Sequence, residues 1–379
     1  MTEETGIETR GIGTRVSRGA AAWRGAPLAV AEVSAATLRD TVAANAWQAS
    51  TAALAPSSLL RAARDGRWRT VVLVAMLAGV PVGLLSLTRL KGSAFAAATS
   101  DPAMLAPGLF GRVPASDYLL LGGHGDLVAD ALVAADVSAD HRFAVTAALV
   151  AEGTGRAERS GLVAAALCVP DGSVEAFVAG FGAAARQEVD RAWTLRVPAG
   201  GPDGYLASLD HGRRSVVRRD WRRLDALGVR AEECPAREAV GEAAQLVVNV
   251  KHRHGVADHP RLAALRLDDW ASDEFGLRTA FVVRGPDRRM LAVSFGCRHG
   301  EMLEMYEVGL VDDSEVRHAA YTEVLVYAPL RSAWRTGCTT VGLGLGSAQP
   351  KRLRGAVGSP VWAVGRRNGR GSESDGNPW

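Results

Sequence analysis

The chain has 379 residues, a net charge of +3, and ordinary proportions of hydrophobic (47%) and charged (22%) residues. This length is typical of two globular domains, each with its own core. The first 200 residues are electrically neutral, so the positive excess lies in residues 201–379. An excess this small does not indicate a general nucleic-acid binder.

The four cysteines lie far apart and include no Cys-x-x-Cys pair: Cys168, Cys234, Cys297 and Cys338. This pattern excludes a disulfide framework and a zinc ribbon, and it favours free thiols in a reducing compartment. The chain begins with acidic residues and has no apolar run behind a basic end, so no signal peptide is predicted. We therefore expect a cytoplasmic protein.

An uncharged stretch from Thr70 to Thr88 is long enough to span a bilayer as a helix. Gly79, Pro81 and Gly83 interrupt it, and such residues break a helix but suit a turn. The flanking apolar segments are therefore predicted to be two buried strands of a hairpin in a domain without a membrane span. A membrane-anchored protein is the alternative.

The rest of the first half alternates helical and strand patterns. Two segments of the sequence lack periodicity. Residues 1–25 and the tail 367–379 are predicted to be disordered. A Pro/Gly cluster at 198–203 is predicted to join an N-terminal domain (26–198) to a C-terminal domain (199–366), each with its own mixed sheet. Helices are predicted at 35–53, 59–63, 140–152 and 173–186, and strands at 117–121, 162–169 and 192–197.

The second half begins with a helical pattern from Asp203, its predicted cap, to Leu227. A long helix over 314–336 is predicted to kink at Pro329. Together these patterns predict an α/β (α+β) fold, in which mixed, largely antiparallel sheets are flanked by helices. Further helices are predicted at 238–253 and 261–273, and strands at 279–283, 290–296, 301–308, 340–344 and 361–365.

Two segments of the second half carry a family resemblance. Tyr205-Leu206-Ala207-Ser208-Leu209 leads into an arginine-rich helix, and a glycine-rich strand at 342–346 leads into Lys351-Arg352-Leu353-Arg354-Gly355. In this order and spacing they resemble segments of the FemAB-like proteins, the peptidoglycan-type aminoacyltransferase branch of the GNAT acyltransferase superfamily. The resemblance covers residues 190–365 and is only architectural before them.

The resemblance implies tandem GNAT-like domains with the active site in the second. It implies transfer of an aminoacyl group from aminoacyl-tRNA, or of an acyl group from acyl-CoA, to a primary amine of a cell-wall precursor or natural product. The donor would be a co-substrate, with no tightly bound cofactor. The expected partners are an amine-bearing small molecule or peptide, and tRNA, but not DNA. The oligomeric state is left open.

Two basic segments are candidate phosphate-binding sites. The helix over 213–223 has six arginines and a single acid, so a phosphate-binding face competes with a solvated face of intrahelical ion pairs. The segment after the glycine-rich strand is either a ligand site or a flexible basic loop. The predicted contacts are Arg213, Arg214, Arg218, Gly344, Gly346, Ser347, Lys351, Arg352 and Arg354.

Glu304 and Tyr306 are two residues apart on a predicted strand and so share one face, with Glu307 on the other. A carboxylate and a phenol there are candidate catalytic base and acid for amine acylation, and a polar surface face is the alternative. His252, His254 and His259 lie near one helix end. No acid or cysteine completes a tight site with them, so no metal is expected.

The donor prediction depends on one motif. Acetyl-CoA-dependent GNAT enzymes bind pyrophosphate with R-x-x-G-x-G, in a loop that follows a central strand and opens a helix. The match at 366–371 begins a polar tail, and the second half has no other copy. We therefore favour aminoacyl-tRNA over acetyl-CoA. An acetyl-CoA-dependent N-acetyltransferase is one alternative. A non-catalytic RNA-binding module is another, although only Trp221 is near the arginines for base stacking.

Overall fold

The computed structural model describes residues 27–43, 46–48, 51–62, 66–91, 101–111, 113–123, 128–182, 184–312 and 316–366. The two terminal segments predicted to be disordered lie outside these ranges. So does the R-x-x-G-x-G match, except for Arg366.

The first half alternates strands and helices. In chain order these are β1 (Leu28–Val33), α1 (Ala35–Ala43), β2 (Trp47–Gln48), a 3₁₀ turn (Ala52–Leu54), α2 (Pro56–Ala62), β3 (Trp68–Leu77), β4 (Val80–Leu90), α3 (Pro102–Leu105), α4 (Pro107–Phe110), a second 3₁₀ turn (Ala115–Asp117), β5 (Tyr118–Leu121), β6 (Leu132–Ala134), α5 (Ala139–Arg159), β7 (Val163–Pro170), α6 (Val174–Phe181) and β8 (Ala185–Arg196).

The second half opens with two helices and then repeats the same alternation. Its elements are α7 (Gly201–Ser208), α8 (His211–Ala226), β9 (Ala231–Pro235), α9 (Ala236–Arg253), α10 (Pro260–Ala271), β10 (Leu277–Arg284), β11 (Met290–His299), β12 (Met302–Leu310), α11 (Arg317–Thr322), a π-helical turn (Glu323–Tyr327), α12 (Ala328–Arg335), β13 (Thr340–Gly344), α13 (Ala348–Leu353) and β14 (Val357–Gly365).

The two halves repeat one topology, which confirms the predicted tandem α/β fold. In the first half the strands follow the order β1-β3-β4-β5-β7, and in the second half β9-β10-β11-β12-β13. In both, the first three pairings are antiparallel and the last, β5 with β7 or β12 with β13, is parallel. A helix crosses over between the parallel strands, as parallel pairing requires.

The final strand of each half belongs to the sheet of the other half. β8 pairs with β13, and β14 pairs with β7; β8 and β14 also pair with each other. All 14 described strands therefore form one sheet. The prediction of a separate sheet in each half is wrong, because this exchange joins the two sheets. The domain boundary at residue 198 remains a prediction.

The uncharged stretch forms the predicted hairpin. β3 and β4 pair along their full length around a two-residue turn at Ala78 and Gly79, whose φ angles are 50° and 76°. Such a turn matches the twist of paired strands; it contains Gly79, whereas Pro81 and Gly83 lie in β4. Among the described residues, no helix is long and apolar enough to span a membrane.

Four predicted helices differ from the structure. The stretch predicted as one helix over 35–53 is α1, the short strand β2 and a 3₁₀ turn, and the helix predicted over 173–186 ends at Phe181 before β8. The pattern from Asp203 to Leu227 is broken between α7 and α8, because Asp210 turns its carboxylate to the amide of Arg213 (2.8 Å) and caps a new helix. The predicted kink at Pro329 is a π-helical turn over Glu323–Tyr327, just before the residue that has no amide to donate.

The strand exchange predicts that a residue near the end of the chain stabilises the first half. Val364 on β14 is fully buried in the first-half core. Val364→Ala should lower the free energy of unfolding in urea by about 2 kcal/mol, because it leaves a cavity. Val357→Ala, on the same strand but 68% exposed, is the control and should change stability little. Equal stability of the two variants would contradict the exchange.

Candidate functional site

The parallel strands β12 and β13 separate in the middle of the second-half sheet. They pair only from Met302 with Thr340 to Glu304 with Gly342. Beyond that point both strands continue, and no described strand pairs with β12 on this side. The facing backbone groups are therefore left without strand partners, and a ligand can enter between them.

A β-bulge lies at the start of this gap. Tyr306 and Glu307 together oppose the single residue Phe295 of β11, between the pairs Met305–Gly296 and Val308–Ser294. Bulges leave one residue out of the ladder and re-aim side chains, and they are common beside active sites.

The bulge brings Tyr306 and Glu307 to the same helices. Tyr306 stacks on Trp270 of α10 (ring centroids 4.7 Å apart, interplanar angle 4°). The Glu307 carboxylate contacts Arg266 of α10 (3.2 Å) and Lys251 of α9 (3.1 Å). The prediction that Glu307 faces away from Tyr306 is therefore wrong, because the extra residue shifts the alternation of side chains.

Glu304 lies where the gap opens and contacts two groups. Its Oε2 accepts a hydrogen bond from the Ala52 amide (2.6 Å) and lies 3.1 Å from His299 Nε2. The side chain is 22% exposed. A carboxylate paired with an imidazole can accept a proton from an amine.

Sequence reasoning missed His299. The available signal was the tight turn at Gly300 and Glu301. It pairs His299 with Met302, and so Cys297 with Glu304. Residues 297 and 299 are two apart on one strand, so this register places His299 on the face of Glu304.

A segment of the first half covers this face of the second half. We call residues 51–61 the strap. At its beginning the Ala52 amide bonds to Glu304. At its end Arg61 pairs with Asp273 and with Asp269 (3.3 Å). The candidate catalytic face is thus built from both halves, which no local pattern could predict.

The arginine helix α8 is only partly free. Arg214 donates to the carbonyls of Leu206 (3.1 Å) and Leu209 (2.8 Å), and Arg213 lies 3.4 Å from Asp210. Four arginines are exposed and have no carboxylate within ion-pair distance in the described part of the chain: Arg218, Arg219, Arg222 and Arg223.

The two acids of this helix do not neutralise its exposed arginines, and Asp225 pairs instead with Arg230 (2.8 Å). Asp220 points inward, where its Oδ2 accepts from Arg354 Nη2 (2.6 Å) and from the Tyr327 hydroxyl (2.7 Å). The Tyr205 hydroxyl donates to the Arg354 carbonyl (2.6 Å). Burial raises the pKa of both tyrosines, so each stays neutral and keeps its proton to donate.

The segment after β13 is folded inward. Lys351 is 2% exposed and donates to the carbonyls of Gly344 (3.1 Å) and Leu345 (2.7 Å). Arg354 is also buried, whereas Arg352 is exposed. The alternative of a flexible basic loop is therefore wrong for Lys351 and Arg354, which are buried.

The turn before α13 requires left-handed backbone at three of the predicted contacts. Gly344, Gly346 and Ser347 have φ angles of 70°, 65° and 46°. The amide of Gly346 donates to Asp190 on β8 (3.0 Å). Hydrogen bonds to Asp190 and from Lys351 therefore fix this turn, and binding of a ligand by it stays a prediction.

The candidate residues occupy opposite faces of the second-half sheet. Glu304 and Tyr306 contact the strap and α10 on one face. Leu303 on the alternate side of β12 packs in the core that also contains Val217 of α8. The gap between β12 and β13 is where these two faces meet.

The corresponding gap in the first half is filled. β4 pairs with β5 at Leu87 and Thr88, and with β6 at Gly83 and Leu84. β6 therefore lies beside β4 beyond the point where β5 ends. The short strand β2 pairs with the other edge of β6 through Trp47 and Gln48. The edge that β12 leaves open in the second half is therefore occupied in the first.

The three histidines do not gather around a common point. His252 Nε2 lies 3.0 Å from the Asp258 carbonyl, and His259 Nδ1 caps α10 by accepting from the Arg261 amide (3.2 Å). The described ranges contain no group of three or more His, Cys, Asp or Glu side chains arranged to hold a metal.

The buried lysine gives stability a distinct pH dependence. Burial lowers the pKa of Lys351 to about 8, and nearby Asp190 partly opposes this shift. The pKa of an unfolded lysine is about 10.4, so between these values the unfolded chain binds more protons than the folded chain. The contribution of Lys351 to the free energy of unfolding therefore rises with pH between its folded and its unfolded pKa.

Lys351→Met should remove this rise, as measured by urea unfolding at several pH values from about 7 to 10.5. The exposed Arg352→Met is the control and should keep it. Curves for Lys351→Met that run parallel to those of the unmodified chain would contradict the assignment.

Comparison with known proteins shows which domain and which folds the chain is similar to. Residues 211–352 match the sequence profile of the acetyltransferase (GNAT) domain. No curated protein matches the chain significantly by sequence. The fold is similar to two solved structures: L-PGS from Bacillus licheniformis, and the C-terminal domain of a putative lysylphosphatidylglycerol synthetase from Agrobacterium fabrum. Each has a TM-score of 0.54 and 11% identity, over 89% of this chain and 93% of that chain.

A third solved structure shares the fold. FemX has a TM-score of 0.54 and 11% identity, over 89% of this chain and 96% of that chain. At such low identity the likeness concerns the fold. Residues 211–352 are therefore similar to a GNAT acetyltransferase domain, and the chain as a whole shares the fold of these three solved structures.

Proposed function

We propose that the chain is an N-acyltransferase that joins an acyl or aminoacyl group to a primary amine, with the chemistry in its second half. The observation that carries the proposal is the open gap between β12 and β13, with Glu304 at the point where the strands separate. The filled gap of the first half supports the choice of the second.

In this mechanism the amine attacks the carbonyl carbon of the donor ester or thioester. Glu304, hydrogen-bonded to His299, accepts the proton that the amine loses. The new C–N bond forms as the C–O or C–S bond breaks. The departing hydroxyl or thiol group takes a proton, for which Tyr306 on the same face is the candidate donor. Backbone amides along the gap would stabilise the oxyanion.

No covalent intermediate on the protein is needed. Cys297 is the thiol nearest to Glu304, on the neighbouring strand. Burial raises the pKa of this thiol to about 11, so at neutral pH it is not the thiolate that nucleophilic catalysis requires. Direct attack by a positioned amine fits this environment.

We propose aminoacyl-tRNA as the donor. β12 followed by α11 is the strand–loop–helix position at which acetyl-CoA-dependent GNAT enzymes carry R-x-x-G-x-G. Here the sequence of residues 311–317 is Val-Asp-Asp-Ser-Glu-Val-Arg, with three acids and no glycine. These acids would repel a pyrophosphate. The four unpaired arginines of α8 instead suit an extended polyanion.

The acceptor is proposed to be a primary amine of a cell-wall precursor or natural product. One alternative is that α8 binds RNA in a protein without catalytic activity. The other is that the donor is acetyl-CoA. The proposed function and these two alternatives each predict a different result in one assay.

The assay supplies the purified protein with charged tRNA or acetyl-CoA, together with a panel of amines, and detects amide by mass spectrometry. We expect product with charged tRNA, and ribonuclease should abolish it. Product from acetyl-CoA that survives ribonuclease would overturn the donor assignment but keep the acyltransferase. Binding of tRNA without product from any donor would favour the RNA-binding module.

Two variants with equal charge loss sharpen this assay. Arg218→Gln with Arg222→Gln should weaken tRNA binding and reduce the slope of log affinity against log salt by about 1.5, because two phosphate contacts are lost. Arg261→Gln with Arg289→Gln removes two exposed arginines elsewhere and should leave the slope unchanged. Equal effects of the two pairs would place the tRNA away from α8.

The base is tested by Glu304→Gln, which keeps the side-chain shape and an oxygen to accept from Ala52. Loss of the base should lower kcat by about 10²- to 10⁴-fold with little change in melting temperature. Glu301→Gln, at the exposed turn of the same hairpin, should retain full activity. Normal turnover by Glu304→Gln would remove Glu304 from the mechanism.

A further inference from the structure

Three side chains form a row across the second-half sheet beneath the strap. Arg278 on β10 is in register with Cys297 on β11, and Cys297 is in register with Glu304 on β12. Residues in register on neighbouring strands share a face. The strap crosses this row, with Ala52 at Glu304 and Arg61 at Asp273, the acid beside Arg278.

Arg278 is a buried arginine whose donors are unused. Its side chain is 4% exposed and lies over the ring of Trp270, 4.4 Å from the centroid. Nη2 approaches Asp273 to 3.3 Å, yet Nε, Nη1 and Nη2 make no hydrogen bond in the described part of the chain. Burying unsatisfied donors of a charged group is costly, so such a group calls for a missing partner.

The strap contributes two further unused groups. The hydroxyls of Thr51 and Ser57 are buried and likewise have no partner among the described residues. They lie on the same segment that covers the row. The strap and the row that it covers therefore each contain buried donors without a partner among the described residues.

The charges of the seam fit a ligand that carries both an amine and a carboxylate. Arg61 and Arg278 share Asp273, whose side chain is fully buried. The other acid near Arg61, Asp269, is 67% exposed and largely screened by water. With Glu304 at the other end of the row, the seam holds two arginines and two carboxylates and has no net charge. A molecule with an amine at Glu304 and a carboxylate at the planar guanidinium of Arg278 keeps this balance, whereas a phosphate would add more negative charge.

We propose that this seam binds a carboxylate of the acceptor, so that the acceptor is an amino-carboxylic acid or a peptide bearing one. The inference rests on the proposed function, because it places the acceptor amine at Glu304. Arg278 and Glu304 are two strands apart, about 10 Å between backbones, and both are in register with Cys297. Amine and carboxylate of one small molecule can span that distance.

Entry of the carboxylate requires the strap to shift. The contacts that hold its two ends are the Ala52 amide on Glu304 and the Arg61 ion pairs. Binding would replace the first, since the acceptor amine approaches the same carboxylate. Glu304 is then available to the amine only when the acceptor is in place.

The test is isothermal titration with L-lysine and with cadaverine, its counterpart without the carboxylate, in the absence of any donor. We expect the unmodified chain to bind L-lysine at least tenfold more tightly, the effect of a charge-assisted hydrogen bond. Arg278→Met should abolish this preference. Arg284→Met, on the same strand but exposed and paired with Glu242, should keep it.

If Arg278→Met does not fold, Thr51→Val with Ser57→Ala replaces it and should reduce the preference severalfold. Equal affinity for the two probes in the unmodified chain, or no measurable binding of either, overturns the carboxylate site. Amide formation from charged tRNA is measured separately. Product with plain amines and no carboxylate preference would reject this site and keep the proposed function. A preference for L-lysine without any amide product would keep this site and reject the proposed function.

Discussion

The antiparallel pairing of β8 with β14 is the interaction on which the rest of the structure depends. Each strand is the last of its own half and completes the sheet of the other half, and the two pair along their whole length. Each half therefore needs the last strand of the other half to pair with the edge of its own sheet. The backbone hydrogen bonds of these two strands therefore fix the relative position of the halves.

That fixed position gives the second-half site two supports from the first half. Asp190 of β8 accepts from the Gly346 amide and helps to hold the turn after β13. The strap reaches the other face of the sheet, where Ala52 bonds to Glu304. The first half, whose own gap is occupied by β2, thus acts as a scaffold for the gap of the second.

A buried polar network stabilises the far side of the same gap. Asp220 of α8 holds Arg354 and Tyr327, and Lys351 holds the carbonyls of the turn before α13. Removing one partner from such a network leaves a buried group unsatisfied, which costs more than the contact itself contributes. The segment that resembles the closing motif of FemAB-like proteins is thus fixed from within, and Arg352 is the basic side chain that it leaves exposed.

The sequence alone determined what depends on neighbouring residues: the hairpin of β3 and β4, the long helices α5 and α9, and the alternation that places Glu304 and Tyr306 on one face. Apolar periodicity and turn residues act over a few positions, so they can be read without a structure. Only the tertiary structure decided the strand exchange, the bulge at Tyr306 and Glu307, and the burial of Lys351 and Arg354. The contact between Ala52 and Glu304 joins residues 252 positions apart. Contacts at such distances form because each sheet must pair its edges and bury its apolar face, a condition on the whole chain that no local pattern contains.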